Sequence, residues 1–128
     1  MEIGIKGQVE TVVNENNTAK FVGSGSLDVF ATPNMIGLME QAAQASVAPF
    51  LEEGQGTVGT KIAVSHDAAT PLGMKVRAES ELIEIDRRRL VFEVKAYDEC
   101  GLIGQGRHER FIIQNEKFLA KVNAKAGK

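Results

Sequence analysis

Only one segment of this chain carries the apolar spacing of a long helix, and that scarcity limits the folds open to it. The segment begins near residue 32, where Thr32 suits a helix cap and Pro33 suits the first helical position. Met35, Leu38, Met39, Ala42, Ala45 or Ser46, and Phe50 then follow at helical intervals. The spacing predicts an end between Pro49 and Glu53, ahead of GQG. The Ala-rich stretch QAAQASVA permits a neighbouring sheet to come close. Glu40 sits beside the apolar stripe, where a carboxylate either reaches out to water or loses hydration.

The rest of the chain reads as extended. GQVETVV has the pattern of a strand, NENNT that of a turn, and AKFVGSG that of a second extended piece. Beyond the helix, strands are expected at residues 57–66, 75–86, 89–98 and 102–114. Val76, Ala78 and Leu82 share one phase, as do Leu90, Phe92, Val94 and Ala96. DRR and DECG supply the turns on either side of the third of these strands. One helix followed by a long antiparallel meander predicts an α+β fold with the helix laid across one face of the sheet. A chain of 128 residues is expected to form a single domain over 1–128, with about 115–128 a frayed tail.

Composition removes several classes of function. Fifteen basic against seventeen acidic residues leave a net charge of −2, which gives no bulk-charge argument for nucleic acid or a membrane surface as partner. With no Trp and one Tyr, a base-stacking platform is not expected. The opening residues MEIGIKGQVE lack the apolar run of a secretory signal, and no apolar stretch reaches the ~20 residues of a membrane span. A lone cysteine, Cys100, excludes an internal disulfide and suits a cytoplasmic location. Two histidines and no Cys/His cluster argue against a metal site, and none of the glycines forms a nucleotide-binding loop. GSGS at 23–26 reads as a flexible turn. Cys100 and His108 lie eight residues apart along one hairpin, more than ~20 Å, too far for a nucleophile and its base. Cys100 is then a turn thiol, and His108, within RHER, is expected on a solvated or salt-bridged strand face. Arg87, Arg88 and Arg89 are expected to form a solvated hairpin turn.

One imidazole breaks a strand pattern. Ile62 and Val64 occupy alternate positions, and His66 takes the next place on that face before the loop-like DAATPLG. Taken singly, His66 is a strand-end residue, Thr32 a helix cap and Glu40 a boundary carboxylate. Taken together, FATPNMIGLMEQAA, GTKIAVSHDAATPLG and HERFII resemble the hotdog-fold thioesterases of the fluoroacetyl-CoA thioesterase type, over roughly residues 7–114. The joint spacing carries the likeness: Thr32, Glu40 eight residues on, and His66 twenty-six beyond match the Thr, Glu and His of that family's site. Gly59 matches the glycine that precedes the histidine.

The resemblance implies a hotdog fold, with one long helix packed on a curved antiparallel sheet. It implies hydrolysis of an acyl-CoA thioester, with Thr32, Glu40 and His66 catalytic and Gly59 binding the substrate. No cofactor is expected beyond the coenzyme A of the substrate itself. A homodimer or higher homo-oligomer with sites between subunits is also implied. The chemistry is coherent: histidine titrates near neutrality and serves as a base. A threonine hydroxyl attacks or positions water, and a glycine amide is open to a developing oxyanion. Glu40 orients the imidazole or acts as nucleophile or base itself. Geometry restricts the arrangement, because eight helical residues advance ~12 Å. Either Thr32 lies on a loop that folds back, or Thr32 and Glu40 act from opposite sides of a subunit interface. In the fluoroacetate-specific members that this chain resembles, specificity is associated with aromatic residues before the helix; here GSGSLDVF is mostly small with one aromatic residue, Phe30, so another short or medium acyl-CoA is expected. A hotdog hydratase or dehydratase, and a non-catalytic acyl-CoA binding module, are the alternative functions.

Overall fold

The computed structural model describes residues 1–127. Its elements are β1 (Lys6–Val12), α1 (Ala19–Val22), α2 (Thr32–Val47), β2 (Gln55–His66), β3 (Lys75–Asp86), β4 (Arg89–Asp98), β5 (Gly101–Gln114) and α3 (Asn115–Ala124). The strands make one antiparallel sheet in the order β1-β3-β4-β5-β2, and α2 lies across one face. This is the α+β arrangement that the resemblance implies.

Alternation explains the core. Along β3, Val76, Ala78 and Leu82 are buried, and along β4 Leu90, Phe92, Val94 and Ala96. They meet Met35, Leu38, Met39, Ala42, Ala43 and Val47 of α2. Each of the larger side chains that leaves water contributes about 1.5–3 kcal/mol and each alanine less, so these facing rows hold the helix to the sheet. On β5 the row changes character. Pairing with Ala96, Val94, Phe92 and Leu90 places Gly104, Gly106, His108 and Arg110 in register with the buried row of β4. Two glycines and two basic side chains therefore stand where aliphatic residues would continue the core.

Close approach is required at several glycines, and at two of them the neighbour includes α2. A Cβ on Gly104 would lie 2.5 Å from the Ser65 carbonyl and 2.7 Å from Met35 Sδ. A Cβ on Gly7 would meet the Ala42 carbonyl and lie 2.7 Å from Ser46 Cβ. The small residues of α2 and these glycines thus bring the helix against both wings of the sheet.

Several expectations are corrected. Only β3, β4 and β5 form a meander, because β2 pairs with β5 at the far edge. The link from β2 to β3, residues 67–74, is too long for a tight hairpin, and its Thr70 is buried, bonding Asp98 Oδ2 at 2.8 Å. Residues 19–22, expected as extended, form one helical turn capped by Thr18 and closed by Gly23 at φ 80°. Thr32 is not the cap of α2: Ala31 holds that position, and Thr32 is the first helical residue. Ala45 and Phe50 are exposed, while Ala43 and Val47 join the buried face. Phe50 misses it because α2 ends at Val47 and the chain passes through a short 3-10 turn, Ala48–Phe50, that contains Pro49. The tail expected to fray is helical over Asn115–Ala124, although none of its residues is buried. Lys128 lies outside the described residues.

Two glycine substitutions should separate packing from backbone freedom. Gly104→Ala is expected to lower stability by about 1–3 kcal/mol, because the Ser65 carbonyl cannot move away independently of the sheet. Gly37→Ala, within α2 and with open space around its would-be Cβ, is expected to raise stability by up to about 1 kcal/mol. Denaturant unfolding of both variants checks the two signs.

Candidate active site

The first residue of α2 and the last residue of β2 meet. Thr32 Oγ1 lies 2.7 Å from His66 Nδ1. The contact follows from packing: His66 pairs with Gly104, and Gly104 admits Met35, one turn beyond Thr32. Because the Thr32 hydroxyl is not used as a cap, it is available to the imidazole. His66 Nε2 is shielded from solvent and has no hydrogen-bond partner among the described residues.

A second cluster forms further along the same two elements. A Cβ at Gly59 would stand 3.1 Å from Glu40 Oε2, 3.2 Å from His108 Cε1 and 3.4 Å from Arg110 Nη1. Gly59 and His66 have opposite parity in the sequence, which would put them on opposite faces of a regular strand. A bulge between Gly59 and Lys61 reverses the phase. Gly59 then pairs with Arg110 and His66 with Gly104, so both lie on the face that carries α2.

Arg110 is 6% exposed, which a guanidinium tolerates only when its donors are used. Its Nε donates to Thr57 Oγ1 at 2.9 Å and its Nη2 to the Thr57 carbonyl at 2.9 Å. Nη1 faces His108 Nε2 at 3.1 Å and Glu40 Oε2 at 3.8 Å. His108 Nδ1 lies 2.8 Å from the Lys61 carbonyl, and its ring stacks on Phe92. Burial holds the His108 pKa below the ordinary imidazole value, and the Arg110 cation adds to this against the opposing Lys61 carbonyl. Burial also lowers the Arg110 pKa, with Glu40 opposing. Glu40 keeps a side-chain exposure of 43%, so it presents one oxygen to the arginine while still reaching solvent.

Thr32 and His66 are thus brought together, and Gly59 and Glu40 are brought together, as two separate groups. Thr32 and Glu40 are ~12 Å apart along one continuous helix, and no loop folds Thr32 back. His108 and Arg110 are the residues that sequence reasoning missed. His108, expected on a solvated face, is 1% exposed. The signal was present in the register of RHER: residues two apart on a strand share a face, and this strand neighbours the apolar β4. Other groups lie elsewhere. Cys100 is exposed in the β4–β5 turn. Arg89 is tied to Glu84 at 2.7 Å and Glu109 at 2.9 Å, leaving Arg87 and Arg88 as the exposed turn residues. Among the described residues, no three His, Cys, Asp or Glu side chains are grouped to hold a metal ion, and no helix is long and apolar enough to cross a membrane.

Comparison with known proteins identifies the family. The sequence profile of the fluoroacetyl-CoA-specific thioesterase family matches residues 13–116. The fluoroacetyl-CoA thioesterase of Streptantibioticus cattleyicolor is 50% identical over 98 residues, which span 77% of this chain and 70% of that protein. A crystal structure of the fluoroacetyl-CoA thioesterase FlK superposes with a TM-score of 0.91 at 41% identity, covering 98% of this chain and 97% of the other. A Thermus thermophilus protein of the thioesterase superfamily superposes with a TM-score of 0.91 at 34% identity, covering 98% and 93%. By this profile, this identity and its helix-on-sheet fold, the chain belongs to the fluoroacetyl-CoA-specific thioesterase family of hotdog proteins.

Proposed function

We propose that this chain is a thioester hydrolase that cleaves a short or medium acyl-CoA to the free acid and coenzyme A, using Thr32 and His66 as nucleophile and base. The observation that carries the reading is the 2.7 Å contact between Thr32 Oγ1 and His66 Nδ1 in a member of a thioesterase family. With His66 in the Nε2–H tautomer, the Thr32 hydroxyl donates to the lone pair on Nδ1. Attack of Oγ1 on the thioester carbonyl then passes the hydroxyl proton to Nδ1. Collapse of the tetrahedral intermediate expels the coenzyme thiolate, which takes that proton. Water hydrolyses the resulting Thr32 ester, again with His66 as base, and the acid departs.

Gly59, which lies with Glu40, is proposed to join the composite site from the same subunit as Glu40: it has no side chain to obstruct a substrate, and its backbone amide suits the oxyanion. Glu40 is proposed to act across a subunit interface, on the site that Thr32 and His66 of the other subunit form. Two features of the single chain support a homodimer with sites between subunits. Thr32 and Glu40 stand ~12 Å apart along α2, too far to share one carbonyl, and β2, which carries Gly59 and His66, is an edge strand. No cofactor is needed beyond the coenzyme A of the substrate, and a free thiol at Cys100 suits a cytoplasmic location.

The acyl group is proposed to differ from fluoroacetyl. The one aromatic residue of the preceding segment, Phe30, is buried in the core, while Leu27 and the small residues around it are exposed.

A panel of acyl-CoAs, with thiol release and enoyl-CoA both followed, tests the reaction. Hydrolysis is expected, with His66→Ala and Thr32→Ala lowering kcat by about 10²–10⁴-fold and Thr32→Ser retaining part of the rate. Enoyl-CoA interconversion without thiol would replace this reading with a hydratase. Saturable binding without either product would replace it with a binding module. Sedimentation should give twice the chain mass, and a fully active monomer would end the interface proposal.

A further inference from the structure

We infer that His108 is a positioning residue: a neutral imidazole whose Nε2 lone pair holds the Arg110 guanidinium beside Glu40 and Gly59. This deepens the thioesterase reading and rests on it for its kinetic consequence. The tautomer follows from the partners alone. The Lys61 carbonyl only accepts, so the 2.8 Å contact at Nδ1 requires a proton there. A guanidinium only donates, so the 3.1 Å contact at Nε2 requires a lone pair. One proton and one lone pair make a neutral ring, and 1% exposure gives neither nitrogen to water.

Removing that acceptor would free the arginine. The two bonds to Thr57 fix Nε and Nη2, whereas Nη1 is held by His108 and otherwise has Glu40 at 3.8 Å. Nη1 is also the arginine atom nearest the space beside Gly59. Protonation of His108 would turn the acceptor into a donor and place two cations about 3 Å apart, so the guanidinium would swing about its Thr57 anchors. The groups around the ring are Arg110 and Glu109 on β5, Glu40 on α2, Lys61 on β2 and the uncharged Phe92 on β4. Glu40 and, after it, Glu109, which is paired with Arg89, are the carboxylates that favour protonation. Burial and Arg110 oppose it. With the His108 pKa depressed, the clamp is intact at neutral pH and fails only as pH falls through that lowered value.

A double-mutant cycle tests the role, with folding of each variant checked by circular dichroism. His108→Leu, which fills the space without an acceptor, is expected to lower kcat/KM by about 100-fold. His108→Gln, whose Oε1 accepts from the arginine, should recover most of that loss. In an Arg110→Ala background, His108→Leu should cost little more, because the histidine acts through the arginine. The acid limb of kcat/KM should be steeper in the wild type than in His108→Gln, which lacks the second titrating ring. Equal impairment of the Gln and Leu variants, full additivity with Arg110→Ala, or identical acid limbs would each overturn the inference. A readout independent of turnover is the ¹⁵N spectrum of the histidine rings. It should show His108 neutral at pH 7 with its proton on Nδ1, and a cation or an Nε2–H tautomer would overturn the assignment. A chain with the expected spectrum but no hydrolysis of any acyl-CoA would instead sink the thioesterase reading and leave the clamp standing.

Discussion

Helix α2 lies so close to the sheet that neither Gly7 nor Gly104 has room for one more carbon, and both halves of the site depend on that closeness. At its first turn, the space left by Gly104 lets Met35 settle and brings Thr32 to His66. Two turns later the same helix carries Glu40 to within reach of Gly59 and Arg110. A helix rises 1.5 Å per residue whatever its sequence, so the two groups stay ~12 Å apart in one chain. The separation is a property of the fold, and it is what directs the account towards a second subunit.

The buried row of β5 shows how the site is made from positions that belong to the core. On β4 the row facing the helix is Leu90, Phe92, Val94 and Ala96, while its partners on β5 are Arg110, His108, Gly106 and Gly104. The glycines create the approach, and the His–Arg pair fills the remaining depth with polar atoms that satisfy one another. Exchange of an aliphatic row for such a network gives up hydrophobic stabilisation, and the network is tolerable only because Thr57 and the Lys61 carbonyl complete it.

Much of this was legible in the sequence. Alternation along most of β3 and β4 placed those strands at 75–86 and 89–98, where the structure has them. The helical spacing from Met35 to Ala42 likewise identified the buried face of α2. Other features depend on contacts that one segment does not record. The bulge after Gly59 has no local signature, yet it alone puts Gly59 on the face of His66. RHER looks solvated because its polarity is judged residue by residue, whereas its burial is imposed by β4 and α2. The place of β2 beside β5 is equally non-local, since a long connection leaves the strand free to choose either edge. At Thr32 the residue was identified but its local role was not: a threonine at a helix start reads as a cap, and here Ala31 takes that position and leaves the hydroxyl for His66.

Subunit complementation tests the central claim, that Thr32 and His66 of one chain work with Glu40 of another. His66→Ala and Glu40→Ala proteins, each inactive alone, would be mixed, exchanged through partial denaturation and assayed for thiol release. In a two-fold dimer the mixed species regains one intact site, so a random mixture should recover about a quarter of wild-type activity. No recovery, from a mixture shown by mass to contain the heterodimer, would contradict the account and place all three residues of a site in one chain.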